Sequence, residues 1–150
     1  MGIKIVAKNK RAGYDYYLEN KFEAGIVLVG TEVKSVRNGK VQLNEAFVTV
    51  DDRNEVWVHN MLISHYDHGN RFNHEETRKR KLLLNEKEIF ELQKAIAQKG
   101  LSVVPTIIYF KKSLVKIEIA LAKGKKLHDK RQTEAKRDVE RKIRQGKYED

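Results

Sequence analysis

The sequence contains no cysteine and only one proline among its 150 residues. Without cysteine the chain forms no disulfide and no thiolate metal site, and this composition suits a reducing cytoplasm. No run approaches the roughly 20 apolar residues that a membrane span needs. The stretch from Gly2 to Ala7 is too short and too interrupted by charge for a signal peptide. We therefore expect a cytoplasmic protein without a membrane partner.

Acidic residues are the scarcer charged class, with 21 Asp and Glu against 31 Lys and Arg, a formal net charge of +10. A field of this sign captures polyanions, and nucleic acid is the commonest of them. The charge is also uneven, because residues 123–150 hold 11 basic and 6 acidic residues. Composition therefore favours a nucleic-acid partner over a merely soluble basic surface.

Apolar patterning predicts a mainly β domain in which short antiparallel strands surround one long helix. A small barrel or a sandwich fits this pattern, and a barrel of the oligonucleotide-binding type is one candidate. We interpret residues 1–13 as a mobile basic N-terminal arm. Pro105 suggests a sheet edge or a strand entry. The predicted elements are a buried strand at 26–29, helical turns at 31–37 capped by Thr31, a hairpin of 46–50 and 55–58, a long loop at 64–80, and strands at 103–111 and 115–121.

The long helix has clear signals at both ends. Asn85 is the predicted N-cap, and Glu88 three residues later completes a capping box. Leu92 and Ile96 continue an apolar face at helical spacing, and Gly100 ends the helix.

The segment 129–150 lacks the apolar residues that would pack it on a core. Ala135, Val139 and Ile143 recur every four residues, which makes a stripe only one residue wide. Opposite charges at i,i+4 nevertheless support a helix: Lys130–Glu134, Asp138–Lys142 and Glu140–Arg144. We expect a tail that is disordered when free and becomes helical on a partner, with a solvated extension as the alternative.

Residue types that catalyse reactions are present but poorly arranged. Ser64, His65 and Asp67 are too close in sequence for a catalytic triad, whose groups converge from separate places. We interpret His65, His68 and His74 as solvated or RNA-facing, because neither cysteine nor fixed spacing supports a metal site. No catalytic residue, metal or cofactor is predicted. An RNA-processing enzyme and a general ribosomal or initiation protein are the alternative hypotheses.

Basic clusters beside aromatic residues are typical of RNA-binding surfaces. Asn9-Lys10-Arg11 stands just before Tyr14, Tyr16 and Tyr17, and residues 78–81 are four successive cations. The tyrosines could equally belong to the core or its rim. Gly124-Lys125-Lys126 could hold a phosphate, although it is not a P-loop.

Six motifs occur in order between Asn9 and Arg141, which is nearly the whole chain. They are Asn9-Lys10-Arg11-Ala12, Phe22-Glu23-Ala24-Gly25-Ile26, Gly30-Thr31-Glu32-Val33-Lys34-Ser35-Val36-Arg37, Gly39-Lys40-Val41, Arg80-Lys81-Leu82-Leu83-Leu84, and Ala122-Lys123-Gly124-Lys125-Lys126 followed by Asp129-Lys130-Arg131. Together they resemble the small protein B (SmpB) family, the SsrA-binding proteins of bacterial trans-translation.

The resemblance implies a small closed antiparallel barrel of the oligonucleotide-binding type over residues 1–128, with flanking short helices and the tail at 129–150. It implies binding, as a monomer, to the tRNA-like domain of transfer-messenger RNA (tmRNA). The complex would enter a stalled ribosome, where the protein mimics an anticodon arm. The tail would become helical in the empty mRNA channel near the decoding centre. Such a protein rescues ribosomes and permits peptide tagging without itself making or breaking a bond.

The resemblance also assigns roles to individual residues. The implied tmRNA contacts are Asn9, Lys10, Arg11, Glu23, Leu83, Leu84, Asn85, Lys116, Lys125 and Lys126. The implied ribosomal residues of the tail are Gly124, His128 (expected to stack in the decoding centre), Asp129, Lys130, Arg131, Lys136, Arg137 and Arg141. As a carboxylate in an RNA surface, Glu23 either accepts from a ribose hydroxyl or base amine, or orients a neighbouring cation. The turn at Lys112-Ser113 lacks the glycine often found there in the family.

Overall fold

The structure, a computed structural model, describes residues 2–67, 73–126, 130–132 and 134–138. Its named elements in chain order are β1 (Ile3–Lys8), α1 (Ala12–Asp15), β2 (Tyr16–Ile26), α2 (Gly30–Arg37), β3 (Val41–Gln42), β4 (Phe47–Val50), β5 (Val56–His59), β6 (Leu62–Ile63), β7 (Arg80–Leu83), α3 (Glu86–Lys99), β8 (Ser102–Lys111) and β9 (Leu114–Gly124). Residues 130–132 and 134–138 of the tail are also helical. None of the described helices is long and apolar enough to cross a membrane.

Seven strands form one antiparallel sheet in the order β1-β8-β9-β2-β7-β5-β4, and β3 pairs with β6 in a second, two-stranded sheet. The predicted mainly β architecture with a few short helices is confirmed. In the described part of the chain, β1 and β4 are the two edges of the large sheet and no backbone ladder joins them. Strand β4 nevertheless lies beside β8. Closure into a barrel stays a prediction.

The core lies on the inner face of the large sheet. In β9 the side chains of Ile117, Ile119 and Leu121 point inward and are almost fully buried, as the alternating pattern predicts. Leu92 of α3 packs into the same cluster. The outer face near the end of β9 is covered as well, because Ala122 packs there in a small separate cluster that includes Ala12 of α1.

Helix α3 begins and ends where the sequence predicts. The Asn85 side chain accepts a hydrogen bond from the Glu88 backbone N–H at 2.9 Å, and the Glu88 carboxylate accepts from the Asn85 N–H at 3.3 Å. Gly100 ends the helix in the left-handed conformation, with φ of 63°. The predicted hairpin is also confirmed, since β4 and β5 pair from Phe47 opposite His59 to Val50 opposite Val56.

The N-terminal segment is not the mobile arm that the sequence predicts. Residues Ile3 to Lys8 form β1, which pairs with β8 from Lys111 to Ile107. The prediction was wrong because backbone hydrogen bonds to a strand a hundred residues away hold the segment, and the side-chain pattern does not reveal them. β8 therefore has β1 and β9 as neighbours. Pro105 is the fourth residue of β8 and pairs with Ile119 of β9, but it precedes Ile107, where the ladder with β1 begins. At Pro105 the strand therefore has a ladder partner on one side only, which fits the predicted sheet edge and not a strand entry.

Two local predictions after β2 were also wrong. The apolar run 26–29 is not a buried strand: β2 ends at Ile26, and Val27 and Val29 are 47% and 46% exposed. Val29, not Thr31, is the N-cap of α2. There the Glu32 carboxylate accepts from the Val29 N–H at 2.9 Å, so N-terminal capping uses an acidic side chain one turn ahead.

Two of the four cations at 78–81 point inward, contrary to the interpretation of this cluster as an RNA-binding surface. Arg80 is fully buried and its Nε donates to the Glu32 carboxylate at 2.5 Å. Arg78 donates to the other Glu32 oxygen at 2.6 Å. Arg80 also donates to the Met61 and Glu76 carbonyl oxygens at 2.7 and 3.0 Å. This buried ion group ties α2 and the end of the long loop to β7.

His74 was also assigned wrongly to solvent or RNA. Its side chain is 7% exposed, one ring nitrogen lies 2.8 Å from the Ile63 carbonyl oxygen, and the other lies 2.9 Å from the Thr31 hydroxyl. The ring therefore supports the loop from within. His68 lies outside the described residues.

Candidate nucleic-acid interface

Four neighbouring strands bring residues from distant parts of the sequence into one line on the outer face of the sheet. Gly25 of β2 lies opposite Leu83 of β7 on one side and opposite Lys116 of β9 on the other. Lys116 in turn lies opposite Tyr109 of β8. Since residues opposite each other on one face are direct neighbours, these four positions form a continuous set. We call Tyr109, Lys116, Gly25 and Leu83 the outer row.

The Leu83 side chain covers the glycine at the middle of the outer row. A Cβ atom at Gly25 would lie 3.3 Å from the Cβ of Leu83, which is tighter than ordinary van der Waals contact, and 3.5 Å from its Cδ1. Leu83 itself is 53% exposed. The row therefore combines a cation with an accessible apolar side chain that packs on the backbone of Gly25.

Asn85 follows the outer row directly, at the junction of β7 and α3. Its side-chain oxygen is used to cap the helix. Its Nδ2 amide group is a donor on an exposed residue beside the row. Leu84, between Leu83 and Asn85, is half-buried against the core.

Glu23 lies two residues before Gly25 on the same face of β2, and its carboxylate binds two side chains of β8. Its carboxylate accepts hydrogen bonds from the Tyr109 hydroxyl and, at 3.3 Å, from Lys111 Nζ. The Tyr109 hydrogen bond is the main cause that lowers the pKa of Glu23, and Lys111 adds to it. Burial and the same bond raise the pKa of Tyr109, so the phenol keeps its proton and donates it. Glu23 therefore pairs with a neighbouring cation, Lys111, as one of the two alternatives requires, and its role toward RNA stays a prediction.

Sequence reasoning missed Tyr109 and Lys111. They lie 86 and 88 residues from Glu23, and their contact depends on β8, β9 and β2 being adjacent. The alternation of β9 identified Lys116 as outward-facing, but no local signal could connect it with Gly25 or Tyr109.

In the predicted cluster at 9–11, Asn9 stabilises the fold while Lys10 and Arg11 lie on the surface. The Asn9 side chain donates to the Pro105 carbonyl oxygen at 2.8 Å and accepts from the Ala12 N–H at 3.0 Å. Asn9 thus fixes the turn between β1 and α1. Lys10 and Arg11 are exposed, and Arg11 pairs with Asp15 at 3.0 Å.

The basic motif at the head of the tail lies against α1. Gly124 pairs with Tyr16 at the end of the β2–β9 ladder. Lys125 Nζ then donates to the Gly13 carbonyl oxygen at 2.9 Å and lies 4.9 Å from the centre of the Tyr17 ring. Tyr16 and Gly25 are at opposite ends of β2, so this basic surface and the outer row are separated by up to about 30 Å.

The tail residues assigned by resemblance are only partly described. Lys130, Arg131, Lys136 and Arg137 lie in its helical part. His128, Asp129 and Arg141 lie outside the described residues.

A family model described as "SmpB protein" matches residues 6–148. That span covers nearly the entire chain, including the outer row and the tail. This chain belongs to the SmpB family.

Relatives in the SmpB family match along most of their own length. An SsrA-binding protein of Desulfitobacterium hafniense (strain DSM 10664 / DCB-2) is 49% identical over 142 residues, which are 95% of this chain and 90% of the relative. An SsrA-binding protein of Pelobacter propionicus (strain DSM 2379 / NBRC 103807 / OttBd1) is 52% identical over 97% of this chain and 95% of the relative.

The fold is similar to that of a solved SmpB-family structure. A chain from "tmRNA-SmpB: a journey to the center of the bacterial ribosome" superposes with a TM-score of 0.68 and 43% identity, and the match covers 81% of this chain and 85% of that one. The mainly antiparallel architecture is therefore that of the SmpB family.

The residues considered for catalysis do not converge in the described part of this SmpB-family chain. Asp67 pairs with Lys40 at 3.1 Å, while the ring of His65 packs edge-on against buried His74 at 5.7 Å. No group of three His, Cys, Asp or Glu side chains within the described ranges could hold a metal ion.

Proposed function

We propose that this protein binds the tRNA-like domain of tmRNA and delivers it to stalled ribosomes for rescue and peptide tagging. The observation that carries the proposal is the SmpB family match over residues 6–148, which includes both the sheet and the tail. The SsrA-binding relatives align over the same length, and the similar solved structure is described as tmRNA-SmpB at the ribosome. One copy of the chain would act on one tmRNA.

The outer row and Asn85 are the proposed centre of the tmRNA contact. Lys116 would bind a phosphate of the RNA backbone. Leu83 would pack against a ribose or base, and the Asn85 amide would donate to a base edge or 2′-hydroxyl. Glu23 would act by orienting Lys111 and Tyr109. The other assigned contacts are Lys10 and Arg11 on the surface, Asn9 and Leu84 as supports, and Lys125 and Lys126 at the head of the tail.

We propose that residues 1–128 are the RNA-binding domain and that its sheet closes into a barrel of the oligonucleotide-binding type. Strand β4, one edge of the large sheet, lies beside β8, the neighbour of the other edge strand β1, and this position supports closure. Residues 129–150 would form the tail that enters the empty mRNA channel as a helix. Helical residues 134–138 support this capacity. His128, Asp129 and Arg141 would act there with the described cations.

The proposed activity is binding and positioning in the cytoplasm, without a catalysed reaction. The protein would stand in for an anticodon arm, so the ribosome and not this chain would perform peptide transfer. The charge of the chain suits two RNA partners, tmRNA and small-subunit rRNA.

Equilibrium binding to tmRNA, with the isolated tRNA-like domain as competitor, tests this function. We expect full competition by that domain, and affinity that falls steeply with salt. Lys116→Ala should weaken binding and lower the log–log salt slope by about 1, the contribution of one phosphate contact. Lys87→Ala, an exposed lysine on α3, is the matched control and should leave the slope unchanged. Failure of the tRNA-like domain to compete would refute the proposal.

A further inference from the structure

We infer that α1 is the docking surface for the first turns of the tail, so that the tail leaves the sheet as an oriented helix. The tail carries no apolar stripe wide enough to hold it on the core. What holds it is instead a set of polar and cation–π contacts, in which Lys130 and Arg137 meet three successive residues of α1, Gly13, Tyr14 and Asp15. The docking stands apart from the proposed function, and only its effect on peptide tagging rests on that function.

An ion pair links the tail to the end of α1. Lys130 Nζ lies 3.4 Å from Oδ1 of Asp15, and both side chains are mostly shielded, at 30% and 23% exposure. This Oδ1 is buried and has no hydrogen-bond partner among the described residues. The other oxygen of the Asp15 carboxylate, Oδ2, accepts a hydrogen bond from Arg11 at 3.0 Å. The Lys130 ammonium group is therefore the positive charge that compensates the second oxygen.

The Tyr14 ring provides the second contact. Lys130 Nζ and the Arg137 guanidinium lie 6.0 and 5.9 Å from its centre. Residues seven apart lie on the same helix face two turns apart, so one face of the tail helix presents both cations to this ring. The exposed face of a phenol attracts cations through its quadrupole.

Gly13 makes room for the same guanidinium. A Cβ atom at Gly13 would lie 3.2 Å from Arg137 Nη2, so the absence of a side chain at Gly13 allows the guanidinium to lie close to the backbone of α1. Three successive residues of α1 thus contact the tail helix in different ways. Gly13 leaves space for it, Tyr14 presents its ring face, and Asp15 supplies a negative charge. Such agreement among neighbours is what distinguishes a docking surface from a chance ion pair on a surface, which contributes little.

The chain is tied to α1 before the tail helix starts. The Lys125 N–H donates to the Asp15 carbonyl oxygen at 2.9 Å, while Lys125 Nζ holds the Gly13 carbonyl oxygen. The Lys130 N–H donates to the Lys126 carbonyl oxygen at 3.1 Å, which is a helical hydrogen bond. Starting a helix is its costly step, because several residues must be ordered for the first bond. Contacts at 125 and 130 lower that cost.

Docking on α1 would set the direction of the tail relative to Lys10 and Arg11, two of the proposed tmRNA contacts. Arg11 contacts the same Asp15 carboxylate and the same Tyr14 ring, the latter at 5.4 Å. Arg11 and the tail therefore share α1 as a common support.

Amide hydrogen exchange of the free, full-length protein tests the docking. Tyr14→Leu keeps bulk but removes the ring face, and should speed exchange at residues 131–138 by about three- to tenfold as two cation contacts are lost. Tyr14→Phe keeps the ring face and should match the wild type. Tyr66→Leu removes a different cation–π contact, that with Lys34 at 5.3 Å, and is the matched control.

Protected sheet amides show that each variant is folded. In folded variants, either of two outcomes would overturn the docking: exchange at residues 131–138 that is unchanged in Tyr14→Leu, or exchange that is accelerated equally in Tyr66→Leu. The functional consequence is measured separately. In a reconstituted rescue reaction at saturating tmRNA, Tyr14→Leu should reduce tagging, and undiminished tagging would refute the orienting role. If the wild type itself fails to bind tmRNA, the proposed function fails while the exchange result stands.

Discussion

The two ends of the Asn85 side-chain amide have different partners at the residue scale, one observed and one proposed. Its oxygen accepts from the Glu88 N–H and starts α3. Its nitrogen is the donor that we propose binds RNA. The two roles of one residue can therefore be separated by changing only one end of the amide.

Asn85→Asp should weaken tmRNA binding without loss of stability. Aspartate keeps the capping oxygen and is as good an N-cap as asparagine, but it replaces the donor with a negative charge facing phosphates. Asn85→Ala should lose both the capping oxygen and the donor, and its free energy of unfolding should fall by about 1 kcal/mol. Denaturant unfolding and tmRNA titration of both variants measure this. Equal affinity of Asn85→Asp and the wild type would exclude the amide nitrogen from the contact.

Glu32 is the residue on which the buried ion group depends. Burial raises the pKa of Glu32, but hydrogen bonds from Arg78, the Val29 N–H and Arg80 outweigh it, so the pKa lies below its ordinary value of 4.5. Burial lowers the pKa of Arg80 while Glu32 opposes this, and the guanidinium remains charged at neutral pH.

Glu32→Gln should reduce the free energy of unfolding by roughly 3–5 kcal/mol at pH 7, because two partly or fully buried arginines lose their counter-charge. A carboxyl with a depressed folded pKa stabilises above its unfolded pKa of 4.5, and this stabilisation is lost as pH falls through the lower folded value. Wild type should therefore lose more stability than Glu32→Gln between pH 6 and roughly pH 3.

Denaturant unfolding across that pH range checks the Glu32 prediction, and Glu55→Gln is its control. Glu55 pairs with Lys81 at 3.7 Å on the surface, so its loss should cost at most about 1 kcal/mol. A similar cost for both variants would contradict a special role for the buried group.

The hairpin between β8 and β9 shows backbone strain at the scale of an element. Lys111 pairs with Leu114, so Lys112 and Ser113 form a two-residue turn. Both have positive φ, 52° and 68°, as this turn requires. Neither is a residue type that favours the left-handed region.

Replacing Lys112-Ser113 with Asn-Gly should raise the free energy of unfolding by about 1 kcal/mol, since these residues adopt the turn with little strain. Thermal or urea unfolding measures the gain. Ser113→Ala removes the hydroxyl without relieving the backbone and should give no gain. Absence of a difference between the two variants would show that the turn stores no recoverable strain.

At the scale of the whole molecule, the tail holds many charged residues but little of the net charge. The tail at 129–150 has eight basic but also six acidic residues, so most of the net charge of +10 lies on the rest of the chain. Long-range attraction of RNA is consequently expected to depend on residues 1–128.

Removal of residues 129–150 should leave tmRNA affinity and its salt dependence nearly intact and abolish peptide tagging. The reason is that the outer row and Asn85 belong to the sheet and α3, while the tail is the part proposed to enter the mRNA channel. Filter binding over a salt series and a reconstituted tagging reaction measure the two effects. Comparable loss of both would contradict the division of labour between domain and tail.

Local patterns in the sequence determined those elements whose signals lie within a few residues. Asn85, Glu88 and Gly100 identified α3 because caps act on adjacent backbone groups. The alternation in β9 identified Ile117 and Ile119 as core residues because side chains of a strand alternate between its faces. Charge and the six ordered motifs identified the family, since they do not depend on three-dimensional position.

Tertiary structure alone decided which distant residues are neighbours. Strand pairing joined Gly25, Leu83, Lys116 and Tyr109, and it placed β1 in the sheet, because backbone hydrogen bonds between strands carry no side-chain pattern. It also made Arg80 a buried partner of Glu32 rather than a surface cation. A charge looks the same in sequence whether it faces RNA or a carboxylate inside the protein, and only packing distinguishes the two.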